Sequence, residues 1–158
     1  MTQQTHAAEN VAHATFSVER TYPEPPARVF KAFTDKTAKL RWYVGGEGWE
    51  VFAYELDFRV GGVESSRFAW KGGPEVTNDT VFQDIVPERR IISAYRMTVA
   101  GKPISASLST MELFPEGGGT RLVYTEQGAY LGDPGAAKSR EEGCRGLFEI
   151  LAKELATH

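Results

Sequence analysis

Two carboxylates, Glu64 and Glu126, and two phenols, Tyr95 and Tyr124, are the residues of this 158-residue chain whose types and positions suit acid–base chemistry. With Phe68 and Trp70 facing inward, strand parity puts Glu64 and Ser66 on that same face. On a later segment Leu122, Tyr124 and Glu126 share a face for the same reason. If both faces line one apolar cavity, two acids meet there. Desolvation raises the pKa of a carboxylate in such a place, which then acts as a general acid or base, or anchors a ligand hydroxyl or amine. Both glutamates also lie near strand ends, where solvent or Arg67, Arg96 or Arg121 can satisfy them. They are catalytic candidates only.

Other chemistry is excluded more firmly. The three histidines, His6, His13 and His158, stand in or near the termini. The middle of the chain therefore lacks the commonest general base and the commonest transition-metal ligand. Cys144 is the single cysteine, so neither a zinc cluster nor an internal disulfide is expected. Ser105, Ser107 and Ser109 alternate along one strand face, but without a base they read as packing or solvent-facing hydroxyls. Gly61-Gly62 and Gly117-Gly118-Gly119 open no helical pattern and read as hairpin turns rather than phosphate loops. No metal and no cofactor are expected.

The elements that position these residues follow from periodicity. Ala14, Phe16 and Val18 alternate with Thr15, Ser17 and Glu19, as in a half-buried strand. Pro25 and Pro26 begin a short helix carrying Val29, Phe30 and Phe33. Asp35 or Thr37 caps a second one with Leu40, Trp42 and Tyr43, stopped by Gly45 and Gly46. From about Trp49 to Gly128, turn signals divide the sequence into about six strands of an antiparallel meander. Ser139 and Glu142 then form a capping box. The helix it opens runs to His158 and places Cys144, Leu147, Phe148, Leu151 and Leu155 on one face. Glu141 with Arg145 and Glu149 with Lys153 are spaced as i, i+4 pairs on the other face.

The order strand, two short helices, six strands, long helix describes an α+β helix-grip fold: a curved antiparallel sheet wrapped around a long C-terminal helix. One helix cannot fill the concave side of such a sheet, so an apolar cavity is expected between them. The length suits one core, with residues 1–13 a flexible tail and 14–158 a single domain. Eighteen basic and twenty-one acidic residues give a net charge of -3, and Lys and Arg form no stripe that would track phosphates, so nucleic acid is not an expected partner. No apolar run suits a signal peptide or a bilayer span, and a cytoplasmic location without membrane association is expected.

Particular segments resemble a known family: Ala32-Phe33-Thr34-Asp35 through Leu40-Arg41-Trp42-Tyr43, then Leu56-Asp57-Phe58-Arg59-Val60-Gly61-Gly62. Asp84-Ile85-Val86-Pro87-Glu88-Arg89 and the hairpin from Glu112-Leu113-Phe114 through Gly119-Thr120-Arg121-Leu122 extend the likeness. From Ala14 to Ala156 the chain resembles the SRPBCC or START-like superfamily, which shares the birch-pollen-allergen-like fold, in the branch of the C-terminal domain of the activator of heat-shock protein 90 ATPase. That resemblance implies a cavity for a hydrophobic ligand, a possible chaperone or other protein partner, and a stress or regulatory role of bacterial type. Members commonly carry Gly-Trp near the start of the last helix, where this chain has Gly143-Cys144.

Three functional classes follow. The favoured one is a sensor or carrier that binds a small hydrophobic or amphipathic molecule. Its contacts come from Trp42 on the short helix, from Glu64, Ser66, Phe68, Trp70, Tyr95, Met97 and Tyr124 on the strands, and from Cys144, Leu147, Phe148 and Leu151 on the long helix. The others are a chaperone-activating partner and a cavity enzyme using Glu64 or Glu126 with a tyrosine. Either a monomer or a homodimer is compatible with the sequence.

Overall fold

The computed structural model describes residues 10–158. Strand β1 (Val11–Tyr22) is followed by helix α1 (Pro26–Thr34), helix α2 (Lys36–Lys39) and a π-helical turn (Leu40–Val44). Six strands come next: β2 (Trp49–Leu56), β3 (Val63–Trp70), β4 (Val76–Val86), β5 (Arg90–Val99), β6 (Lys102–Glu116) and β7 (Gly119–Leu131). Helix α3 (Ala136–Thr157) ends the chain. The strands make one antiparallel sheet in the order β1-β7-β6-β5-β4-β3-β2. This is the helix-grip arrangement, with the predicted element order. Strand β1 starts at Val11, so residues 11–13 belong to the sheet and not to a tail; residues 1–9 lie outside the described residues.

Local chemistry explains the boundaries. Pro26 at the first position of α1 loses no bond, because the first turn's amides have no intrahelical acceptors. The Asp35 carboxylate then accepts from the Thr37 amide at 2.9 Å and caps α2. Register shifts at Val51/Ala53, Phe82/Asp84 and Met97/Thr98 insert bulges into three strand pairs. Bulges bend and twist the ladders locally, which helps the sheet curve around α3.

Helix α3 departs from the expected start. The Asp133-Pro134-Gly135 turn enters it directly: the Gly135 amide donates to the Asp133 carboxylate at 2.8 Å, and Ala136 is the first helical residue. Ser139 already donates its amide to the Gly135 carbonyl, so it lies inside the first turn and makes no capping box. On the outer face, Arg145 pairs with Glu141 at 2.7 Å as predicted. Glu149 instead takes Arg20 of β1 at 2.7 Å, because α3 crosses that strand closely enough for a cross-element pair.

The core fills the part of the concave side beneath the C-terminal half of α3. Val18, Val29, Leu113, Leu122 and Leu151 are each at most 1% exposed there. Trp42 donates its indole N–H to the Ala32 carbonyl at 2.9 Å, which fixes the π-helical turn against α1. At the end of α3, Glu154 shares the single N–H of Arg41 Nε between its two oxygens, at 3.0 and 3.1 Å, and accepts a second bond from Arg41 Nη2 at 2.5 Å.

Those bonds hold the Glu154 carboxyl below its usual 4.5. A carboxyl whose folded-state pKa is lowered stabilises the fold fully above its unfolded value and ceases to do so as pH falls through the lowered one. The gap in urea midpoint between the wild type and Glu154→Gln is therefore expected to be widest near neutrality and to narrow as pH drops below about 4.5. A gap that stays constant into acid would contradict the assignment.

Candidate functional site

Between the N-terminal half of α3, the π-helical turn and strands β3 to β6 lies a cavity of about 430 Å³. Its apolar wall comes from rings and branched chains on several elements, among them Phe33, Phe58, Phe82, Ile91 and Met111. Of the residues predicted from sequence, Trp42, Glu64, Ser66, Phe68 and Tyr95 line it. So do Met97, Tyr124, Cys144, Leu147 and Phe148. Two do not. Trp70 ends β3 and is 51% exposed, with its ring edge-on to Trp49 at 5.2 Å; parity holds through Phe68 and the last residue has left the concave side. Leu151 is wholly buried in the core and does not reach the cavity wall. The wall's exposed members, Trp49, Gly143, Gly146 and Ile150, mark where the cavity opens. A Cβ on Gly143 or Gly146 would meet nothing within 4 Å.

Glu126 is fully buried behind this wall. Its Oε1 accepts from the Tyr95 and Tyr124 hydroxyls, each at 2.7 Å. Its Oε2 accepts from Tyr130 at 2.7 Å and Ser107 at 3.0 Å. Tyr130 reaches back along its own strand to do so, over Gly128, where any Cβ would stand 2.6 Å from the phenol. Arg140, on the first turns of α3, supplies the countercharge at 3.4 Å. The same guanidinium donates to the Tyr95 hydroxyl at 2.9 Å and to Ser105 at 2.7 Å. Burial pushes the Tyr95 phenol far above its ordinary range, with the Glu126 charge adding to it. Tyr124 is raised chiefly by burial as well. Both remain protonated donors at neutral pH. Glu126 is thus a structural acceptor with both oxygens occupied and is no part of the cavity surface.

Glu64 does belong to that surface. Its Oε2 accepts from the Tyr54 hydroxyl at 2.6 Å and pairs with Lys39 Nζ at 3.0 Å. Both charged side chains are only 6% exposed. The ammonium also lies 3.7 Å from the centre of the Tyr43 ring and 5.6 Å from those of Phe33 and Trp42, a cation–π cage. Among the described residues no arginine pairs with Glu64; the partner is Lys39 from α2. Cys144 faces the cavity from α3, and burial pushes its thiol up to about 12, so it stays protonated and poorly nucleophilic.

Lys39 and Arg140 are the two charged wall residues that sequence reasoning passed over. Each had a signal. Lys39 precedes Trp42 and Tyr43 by three and four residues, and Arg140 precedes Cys144 by four, so both stand on the apolar stripes of their helices. A charge on an apolar stripe marks a buried partner.

Comparison with known proteins agrees with this geometry. The family model described as Activator of Hsp90 ATPase homolog 1-like protein matches residues 23–156. The crystal structure of the Mll3558 protein from Rhizobium loti is 56% identical, covers 92% of this chain and 99% of its own, and superposes with a TM-score of 0.85. An uncharacterized protein from Rhizobium leguminosarum is 37% identical over 95% of this chain and 99% of its own, with a TM-score of 0.90. Protein CV1439 from Chromobacterium violaceum, 27% identical over 91% and 98% of the two chains, has a TM-score of 0.77. No curated protein matches the sequence. Among the described residues, no helix is long and apolar enough to cross a membrane.

The hydroxyl cluster makes a graded prediction for denaturant unfolding. Tyr130→Phe removes one of four hydroxyl donors to a charged acceptor and is expected to cost roughly 1.5–3 kcal/mol. Glu126→Gln deprives Arg140 of its carboxylate and sets an amide N–H₂ against hydroxyl donors, for a cost of roughly 3–5 kcal/mol. Equal losses in the two variants would mean that the pairing with Arg140 contributes nothing.

Proposed function

The chain belongs to the Activator of Hsp90 ATPase homolog 1-like protein family, and we propose that it works as a carrier or sensor holding a small amphipathic molecule between α3 and the sheet. Membership makes it a ligand- or protein-binding domain, and the cavity favours the first. One observation carries the reading. The cavity, about 430 Å³, is walled mostly by aromatic and aliphatic side chains, with its charged groups at Lys39, Glu64 and Arg140 and uncharged polar ones such as Ser66, Asn78, Thr80 and Ser93 along the strands. That size and that division between apolar wall and placed polar groups are what small-molecule sites have in general.

Two further features support binding over acid–base turnover. The Glu126 carboxylate is withdrawn from the cavity and saturated by protein hydroxyls. The Cys144 thiol is kept protonated by burial. Neither is free to exchange protons with a bound molecule. On α3, glycines at positions 143 and 146 give up helix stability of roughly 1 kcal/mol each relative to alanine and leave the mouth unobstructed.

Native mass spectrometry of freshly purified protein, followed by denaturing extraction, is expected to show a small molecule that leaves on unfolding, or uptake of the neutral apolar fluorophore N-phenyl-1-naphthylamine by empty protein. Cys144→Trp puts an indole into the cavity and should weaken uptake of the fluorophore roughly tenfold or more while the protein stays folded. Unchanged affinity in that variant, with its fold intact by circular dichroism, would sink the assignment of the site.

A further inference from the structure

We propose that the cavity selects an electrically neutral ligand bearing a hydroxyl group, which bridges Lys39 and Glu64; this rests on the ligand-binding reading above. The charged residues of the wall are Lys39, Glu64 and Arg140. Each has its opposite charge within the protein: Lys39 with Glu64 at 3.0 Å, and Arg140 with Glu126 at 3.4 Å immediately behind the wall. The remaining polar wall groups, such as Ser66, Asn78, Thr80 and Ser93, are uncharged. A carboxylate or ammonium entering this space gives up its water and finds no uncompensated countercharge, so its desolvation is not repaid. A neutral molecule meets no such penalty.

The pair also shows what kind of neutral group fits. Glu64 Oε2 is taken by Tyr54 and Lys39, while Oε1 accepts no hydrogen bond from the described residues. Lys39 Nζ has three N–H donors and this one carboxylate partner, its remaining close neighbours being aromatic rings. A free acceptor therefore adjoins free donors. A hydroxyl is the simplest group that satisfies both at once, donating to Glu64 Oε1 and accepting from Lys39. A ketone or ether only accepts and leaves the carboxylate oxygen unmet.

The test is a displacement series against N-phenyl-1-naphthylamine at pH 7, using 1-decanol, methyl decyl ether, decanoate and decylammonium. Decanol is expected to displace the fluorophore at a concentration lower by roughly tenfold or more than either charged compound needs, with the ether in between. Glu64→Gln leaves the Lys39 charge uncompensated and should shift the preference toward decanoate. Lys39→Met leaves Glu64 alone and should shift it toward decylammonium. Having two variants guards against one failing to fold, which thermal melting will show. Affinities blind to charge, or a preference that neither variant moves, would overturn the proposal while leaving ligand binding intact. A folded protein that binds neither the fluorophore nor any member of the series would overturn the ligand-binding reading itself.

Discussion

A carboxylate sealed from water sets the geometry of one end of the molecule. Glu126 can be buried only because four hydroxyls and a guanidinium converge on it, and those donors come from four different elements: β5, β6, β7 and α3. Each must arrive at hydrogen-bonding distance or the charge is left uncompensated in a low-dielectric interior. The requirement fixes the spacing of α3 from the sheet at its N-terminal end. It also draws the hydroxyls of Tyr95 and Tyr124 to Glu126 while both residues line the cavity.

The other end of α3 is held by different chemistry. Arg41 grips Glu154, and Arg28 reaches the carbonyls of Glu154 and Leu155 at 3.4 Å in the last turn, where the Glu154 carbonyl also accepts the His158 amide at 3.0 Å. Partway along, the Tyr22 hydroxyl donates to the Phe148 carbonyl at 2.8 Å. The helix is thus pinned at intervals by polar contacts and packed solidly only over its C-terminal half. Space remains beneath its N-terminal half because the pins, and not side-chain volume, set the distance to the sheet there.

Periodicity and turn chemistry made the architecture legible, since alternation, paired prolines and glycine-bearing turns are local signals. What lay beyond them were choices made by partners distant in sequence. The capping box at Ser139 is a valid local pattern, overridden because Asp133 and Gly135 start the helix a turn earlier. Arg41 and Glu154 meet across 113 positions, and nothing in either neighbourhood announces it. Glu64 and Glu126 stood out as equivalents by residue type, yet one is on the cavity surface with a lysine and the other is hidden beneath tyrosines. Alternation placed both on the concave side; only the fold distinguishes the layer each one occupies.

The sheet order has a consequence for how the protein is made. Strand β1 leaves the ribosome before the other six strands, and among the described residues its one strand partner is β7, from Val11 opposite Leu131 to Tyr22 opposite Thr120. Roughly a hundred residues separate the two, which at ordinary rates of synthesis is about 5–20 s of waiting. Through that interval a twelve-residue segment of high strand propensity has both edges open. Contacts this far apart also place the chain among slow folders. Glu19 and Arg20, charged and flanking the apolar Phe16 and Val18, are positioned to discourage the nascent strand from pairing with a neighbouring chain before its own partner exists.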